Sequence, residues 1–230
     1  MKQFLFIAVC LTVAPALVSA QTPTGTITGT IRYTGIIPPS QRITLTDGQI
    51  LIHNDVVVHK KSKGLRDAAV LLDWTGKVPV NPKLKPVLID QRDMVFLPRV
   101  VTIQQGRKVR FENNDIFNHG VSAQSILGEN SFNLTTPPGR GFEHTFKAQA
   151  NPIPIGCVLH SWMRAYVIVR PHPYHAVTDA DGTFRIANVP AGKHTLWLLH
   201  PDTNYRETIM VNVIGNKTVD LAITWGKLKK

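Results

Sequence analysis

Cysteine is nearly missing from this sequence. Of 230 residues only Cys10 and Cys157 are cysteines, and Cys10 lies in an amino-terminal stretch expected to be removed. That excludes a disulfide framework, the common device of small exported domains. A long apolar run is lacking too. Phe4 to Leu17 is interrupted by Pro15 and falls short of the ~20 residues that span a bilayer. Aromatic residues are 7% of the chain, and none interleave with the basic stretches Lys60-Lys61 and Lys227 to Lys230, which argues against nucleic acid. There is no glycine loop of the phosphate-binding kind and no paired-carboxylate motif. Nothing completes a hydrolytic arrangement around Cys157 and His160. The sequence therefore reads as that of a non-enzyme.

The amino terminus has the features of an export signal: Lys2, the apolar run, then the small-residue site Val18-Ser19-Ala20. Cleavage is expected after Ala20, with the periplasm of a Gram-negative cell as the destination and no stable membrane insertion afterwards. The mature chain then holds one cysteine, Cys157, in an oxidising compartment. A lone thiol there needs protection or a role. The formal charge of +11, one less without Lys2, suits acidic protein partners or anionic surfaces.

Strand patterns run through the remaining ~210 residues, enough for one large or two modest domains. Gly25 to Tyr33 places Ile27, Ile31 and Tyr33 among threonines and glycines, and Pro38-Pro39 ends the run. Ile50 to His59 and Ala68 to Trp74 are further strand candidates, and Pro79 to Pro86 is a proline-broken loop. His53 and His59 read as ordinary strand histidines. From Val87 the alternation sharpens: Val100 to Ile103, a Gln-Gln-Gly106-Arg turn, then Lys108 to Glu112 predicts a β-hairpin with one buried face. Phe132, Phe142 to Phe146 and Ala165 to Val169 continue the pattern. No segment to this point has sustained helical periodicity.

After Pro171-His172-Pro173 a compact second unit begins. Its strands are expected near Phe184 to Ile186, His194 to Leu199, Thr208 to Val213 and Thr218 to Ile223. His172-x2-His175 could hold a metal but reads as linker. Asp179-x-Asp181-Gly182 lacks the later acidic ligands of a calcium loop and reads as a turn. Asn133-Leu-Thr135 and Asn216-Lys-Thr218 are glycosylation sequons only in a eukaryotic secretory route.

The chemistry gathers in Gly156-Cys157-Val158-Leu159-His160-Ser161-Trp162-Met163. A thiolate, an imidazole and a thioether within seven residues suit copper, which takes two His, one Cys and a weak axial Met in electron-transfer sites. A second histidine must come from elsewhere. His119 ends the polar loop Asn113-Asn114-Asp115-Ile116-Phe117-Asn118 just before a strand and is placed to supply it.

Asn113 to Val121 followed by Cys157-x2-His160-x2-Met163 resembles the cupredoxin family, in the shorter spacing found in amicyanin. Phe96-x-Pro98 and Gly106-x2-Val109-x-Phe111-x-Asn113 extend the similarity, which covers Val87 to Val169. The resemblance implies a Greek-key β-sandwich binding one copper ion, Cu2+ or Cu+, through His119, Cys157, His160 and Met163, with the His160 ring edge as the electron port. Gly120 departs from the family, where many relatives carry an Asn whose side chain locks the two metal loops. Gly120 keeps the backbone N–H toward sulfur and loses that lock. Residues 172 to 225 resemble the carboxypeptidase regulatory-like, prealbumin-type domain, through Val177-Thr-Asp-Ala-Asp-Gly-Thr-Phe184 and Val189-Pro-Ala-Gly192. The pairing is similar to exported proteins of the methylamine-utilisation type.

The expectation is thus an all-β chain: a signal peptide over 1–20, a cupredoxin-like sandwich with an N-terminal β extension over 21–170, and a small prealbumin-like sandwich over 171–230. Residues 21–86 are expected to supply strands to the copper sandwich. The expected function is a periplasmic carrier of single electrons, docked to a redox partner with an acidic surface. Two other readings stand beside it. One is a copper delivery or sensing protein, disfavoured because Met94, Met163 and Met210 are scattered. The other is an envelope binding module with a structural or vestigial metal site.

Overall fold

A computed structural model describes residues 22–45, 47–76, 78–203 and 205–226. The expected signal peptide and the Lys227 to Lys230 tail lie outside them. In chain order the strands are β1 (Thr24–Tyr33), β2 (Gln41–Thr44), β3 (Ile50–His53), β4 (Ala69–Leu72), β5 (Val87–Arg92), β6 (Val95–Leu97), β7 (Val100–Gln104), β8 (Lys108–Asn113) and β9 (His119–Ala123). There follow β10 (Phe132–Thr136), β11 (Gly141–Thr145), β12 (Ile153–Gly156), β13 (Arg164–Arg170), β14 (His175–Val177), β15 (Thr183–Pro190), β16 (Gly192–His200), β17 (Tyr205–Val213) and β18 (Thr218–Trp225). One 3₁₀ turn, Gly128–Asn130, precedes β10. No helix among the described residues is long and apolar enough to cross a membrane.

The chain is all-β and builds two sandwiches. In the first, the sheet β10-β9-β12-β13-β7 faces the sheet β11-β8-β5-β6. Ile89, Phe96, Phe111, Phe146 and Ile155 fill the space between them. Alternation does its expected work in β8, where Val109, Phe111 and Asn113 point inward. The hairpin reading of β7 and β8 is corrected. β7 pairs with β13, and β8 pairs with β5 and β11. The turn at Gly106, with φ +89°, carries the chain from one sheet to the other. A turn glycine between two amphipathic strands is compatible with either connection, so alternation alone does not decide between them.

The second sandwich packs β15-β1-β18 against β14-β4-β16-β17. Here the assignment of residues 21–86 to the copper sandwich is corrected. β1 is the central strand of its sheet, antiparallel to β15 and parallel to β18. β4 lies between β14 and β16. Strands that precede and strands that follow the first sandwich in the chain, β1 and β4 with β14 to β18, therefore make one sandwich, and the first is inserted between them. Sequence neighbours usually pair, but nothing in the alternation of β1 names a partner more than 150 residues away. Gly29 on β1 is required by close approach: a Cβ there would stand 2.6 Å from the Leu221 carbonyl oxygen and 2.7 Å from the Phe184 ring. Of the expected Ile50–His59 strand only Ile50–His53 forms, as a hairpin with β2.

All four residues of β4 are buried. Val70 and Leu72 enter the core of the second sandwich, while Ala69 and Leu71 pack against Val100, Ile168 and Leu199 at the junction of the two. A continuous apolar tetrapeptide is what a strand covered on both faces needs.

Candidate metal centre

The site forms where two loops of the first sandwich meet. β8 ends at Asn113, which is fully buried. Its side-chain amide donates to the carbonyls of Phe117 (2.8 Å) and Thr136 (2.6 Å), and its Oδ1 accepts the Asp115 N–H (2.9 Å). These three bonds fix the 114–118 loop and deliver His119, 0% exposed, at the first position of β9. The second loop is a tight one. Cys157 donates its N–H to the Met163 carbonyl (3.2 Å), and Met163 donates its own to that of His160 (3.0 Å).

Three donor atoms converge. His119, Cys157 and His160 each offer a ligand atom within 4.8 Å of the others. His119 Nδ1 is 3.0 Å from His160 Nδ1, and Cys157 Sγ is 3.6 Å from His160 Nδ1. Among the described residues this is the only such grouping of His, Cys, Asp and Glu. Met163, 1% exposed, belongs to the same buried cluster as Cys157. His172 and His175 form no such cluster, and His59 is bound to Ser62 and Asp181. Asp179 accepts the N–H groups of Asp181 (2.9 Å) and Thr183 (2.8 Å), closing a turn as its sequence suggests.

The donor atoms are held from behind. His119 Nε2 meets Asp115 Oδ2 at 3.1 Å, which leaves Nδ1 to face Cys157 and His160. A carboxylate behind a ligating imidazole fixes its tautomer and ring orientation. Burial alone would raise the Asp115 carboxyl, but the Met94 N–H, His119 and the Ile116 N–H outweigh it and hold it below its ordinary value. The Cys157 thiol is also lowered. Burial opposes this, and the His119 ring with the N–H groups of Gly120, Leu159 and His160 overcomes it. His119 is correspondingly raised, against burial, by Cys157 and Asp115. His160 is lowered by burial and by the His119 charge.

Gly120 donates its N–H to Cys157 Sγ at 3.2 Å. The two loops are joined elsewhere by the backbone of Met94, in the Asp93-Met94 turn between β5 and β6. Its N–H donates to Asp115 Oδ2 (2.8 Å) and its carbonyl accepts the Trp162 indole N–H (3.1 Å). The Trp162 ring stands 5.2 Å, centroid to centroid, from that of His160. Met94 thus supplies a connection between the two ligand loops. It acts through its main chain, so the sequence holds no signal of it. Asp115 does carry a signal, a carboxylate four residues before a candidate ligand in a polar turn.

No family model and no curated protein matches this chain. Among solved structures, a copper-containing nitrite reductase from Thermus scotoductus SA-01 is 21% identical over 41% of this chain, with a TM-score of 0.36. This chain spans 28% of that protein's length. A purple cupredoxin from Nitrosopumilus maritimus is 22% identical over 36% of this chain and 99% of its own, with a TM-score of 0.32. An oxidised amicyanin variant is 17% identical over 44% of this chain and 98% of its own, with a TM-score of 0.34.

Proposed function

We propose that this chain is a copper-binding electron-transfer protein: a periplasmic type 1 copper protein that carries single electrons between redox partners and catalyses no reaction itself. The observation that carries the reading is the convergence of two imidazole nitrogens and one sulfur on a common point. Metal bonds of about 2.0–2.1 Å to nitrogen and about 2.3 Å to sulfur set donors around one ion roughly 3.2–3.8 Å apart. The 3.6 Å between Cys157 Sγ and His160 Nδ1 already lies in that range, and the 3.0 Å between the two imidazole nitrogens needs only a small opening to reach it. Two imidazoles, a thiolate and a thioether are a copper set, since soft sulfur suits Cu+ and imidazole suits Cu2+.

Bound copper would supply a one-electron couple, and this chain's residues do the rest. Cys157 must lose its proton to bind, and its lowered pKa eases that step. Gly120 holds the sulfur, Asp115 holds His119, and Trp162 flanks the His160 ring. A frame fixed before the ion arrives changes little between oxidation states. Around it Ile116, Phe117, Val158 and Leu159 expose apolar surface on the two ligand loops, which supports a dry partner contact beside His160. The excess of basic residues favours an acidic partner surface.

Copper titration followed by optical and EPR spectra tests this reading. An intense thiolate-to-copper band with one equivalent bound, lost in Cys157→Ser, is the expected result. A colourless protein at saturating copper would overturn it. Reversible voltammetry with fast self-exchange separates a carrier from a copper delivery or sensing protein using the same ligands.

A further inference from the structure

A cleft of about 370 Å³ opens where the two sandwiches meet, and none of its lining residues is a metal ligand. Leu71 and Leu72 of β4 give it an apolar floor, and two indoles, Trp74 and Trp197, line it. Trp197 is 41% exposed and belongs to neither sandwich core, so an aromatic surface is left open at this spot. Two guanidinium groups reach the same cleft, Arg170 from the end of β13 and Arg206 from β17.

Each arginine is steadied from one side. Arg170 donates to the Gln149 carbonyl at 2.8 Å and, from both terminal nitrogens, to the Ala150 carbonyl at 3.4 Å, and Arg206 donates to Asn151 Oδ1 at 2.7 Å. Neither has a carboxylate within 4.0 Å among the described residues. A guanidinium has five N–H donors, so both keep donors to spare. Asp73 on the wall sets one negative charge against the two positive ones. Both guanidinium groups line the one cleft, and burial and the Arg206 charge hold Arg170 below its ordinary value.

We propose that this cleft binds a small organic carboxylate carried on a ring with an apolar face, the carboxylate taken by Arg170 and Arg206 and the ring face by Trp197 and Trp74. Charge selects an anion, because a third charged group of negative sign relieves the repulsion of two arginines. The planar fork of arginine matches a carboxylate better than a point charge does. Size selects a small molecule, since clefts of this volume hold single drug-sized ligands. The exposed indole selects a ring with an apolar face, as an aromatic acid or a hexuronic acid has. Such an occupant would touch both sandwiches at once.

The test uses the mature chain and four probes: phenylacetate, its neutral amide, glucuronate and glucose. Saturation-transfer NMR and tryptophan fluorescence read binding. At least one acid is expected to bind in the millimolar range or tighter, and at least tenfold better than its neutral counterpart. Which acid binds identifies the ring class. Arg206→Gln removes a charge-assisted hydrogen bond and is expected to weaken that acid about tenfold, and Trp197→Ala to weaken the acid and its neutral counterpart alike. Both side chains are exposed, so unchanged thermal unfolding and unchanged copper titration confirm that the variants fold. Binding of neither acid, equal binding of the neutral probes, or indifference to both substitutions would overturn the proposal.

Discussion

Arg99 and Asp202 form an ion pair across the junction of the two sandwiches, with side chains 10% and 2% exposed. Arg99 also donates to the Asn54 carbonyl at 2.6 Å, so one guanidinium, just before β7, ties together the segment after β3 and the turn after β16. Burial pushes the Asp202 carboxyl up more than the Arg99 charge pulls it down. A pair so enclosed is worth little against an apolar replacement, but breaking it strands a buried charge. Asp202→Ala is expected to destabilise the protein by about 3–5 kcal/mol, read by denaturant unfolding. Arg99→Met combined with Asp202→Leu should recover most of that loss. If the double variant is as unstable as the single one, the pair is a specific anchor and not a compensated burial.

The metal loop could be read because its chemistry is local. Cys157, His160 and Met163 sit within seven residues, and three backbone hydrogen bonds among them keep them together. Strand identity was legible for the same reason, since alternation in β8 depends on adjacent residues. Partnership was not. β1 finds β15 and β18 through shape, with Gly29 letting the Phe184 ring lie against it. β7 and β8 share a turn yet belong to opposite sheets. Asn113 shows the boundary well: the pattern puts it inward, and only the structure shows that it orders the ligand loop.

Asp115 should act as a positioning residue for His119. Asp115→Ala removes the acceptor behind Nε2 and frees two backbone N–H groups, those of Met94 and Ile116. Loss of such a partner lowers metal affinity by roughly 10–100-fold, to be measured by competition against a chelator. Asp115→Asn keeps the shape and one oxygen acceptor and is expected to fall between. Unchanged affinity in both variants would mean that packing alone orients the ring.

Two glycines should respond differently to alanine. At Gly29 the added methyl would stand 2.6 Å from the Leu221 carbonyl, against main chain that is pinned in a sheet. Overpacking of this kind costs about 1–3 kcal/mol. At Gly120 the nearest atom is Val158 Cγ2 at 3.3 Å, on an exposed side chain that can turn aside. Gly120→Ala is expected to cost less than about 1 kcal/mol and to keep the N–H bond to Cys157. Thermal unfolding checks the first expectation, and the copper spectrum of Gly120→Ala checks the second.

Stability should fall as pH drops below neutrality, because of histidines outside the metal centre. His172 and His200 are 1% and 0% exposed. Burial, with the Arg170 charge beside the first and the Arg99 charge beside the second, depresses both to about 4. Both ring nitrogens of His200 lack a partner among the described residues. An unfolded chain takes up these protons near pH 6.5 while the folded one refuses them until about 4. The unfolded state therefore binds more protons throughout that window, and stability declines as pH falls through it. Asp67 and Asp202, whose carboxyls burial raises, work in the opposite direction, nearer the carboxylate range. His119, raised against burial by Cys157 and Asp115, also works in the opposite direction, so comparison with a His200 variant is what isolates one histidine. His200→Met should leave stability at pH 7.5 unchanged or raise it by about 1 kcal/mol, because an unsatisfied polar ring is replaced by an apolar side chain. It should also flatten the slope of unfolding free energy between pH 6.5 and pH 5, whereas an unaltered slope would place the proton uptake at other groups.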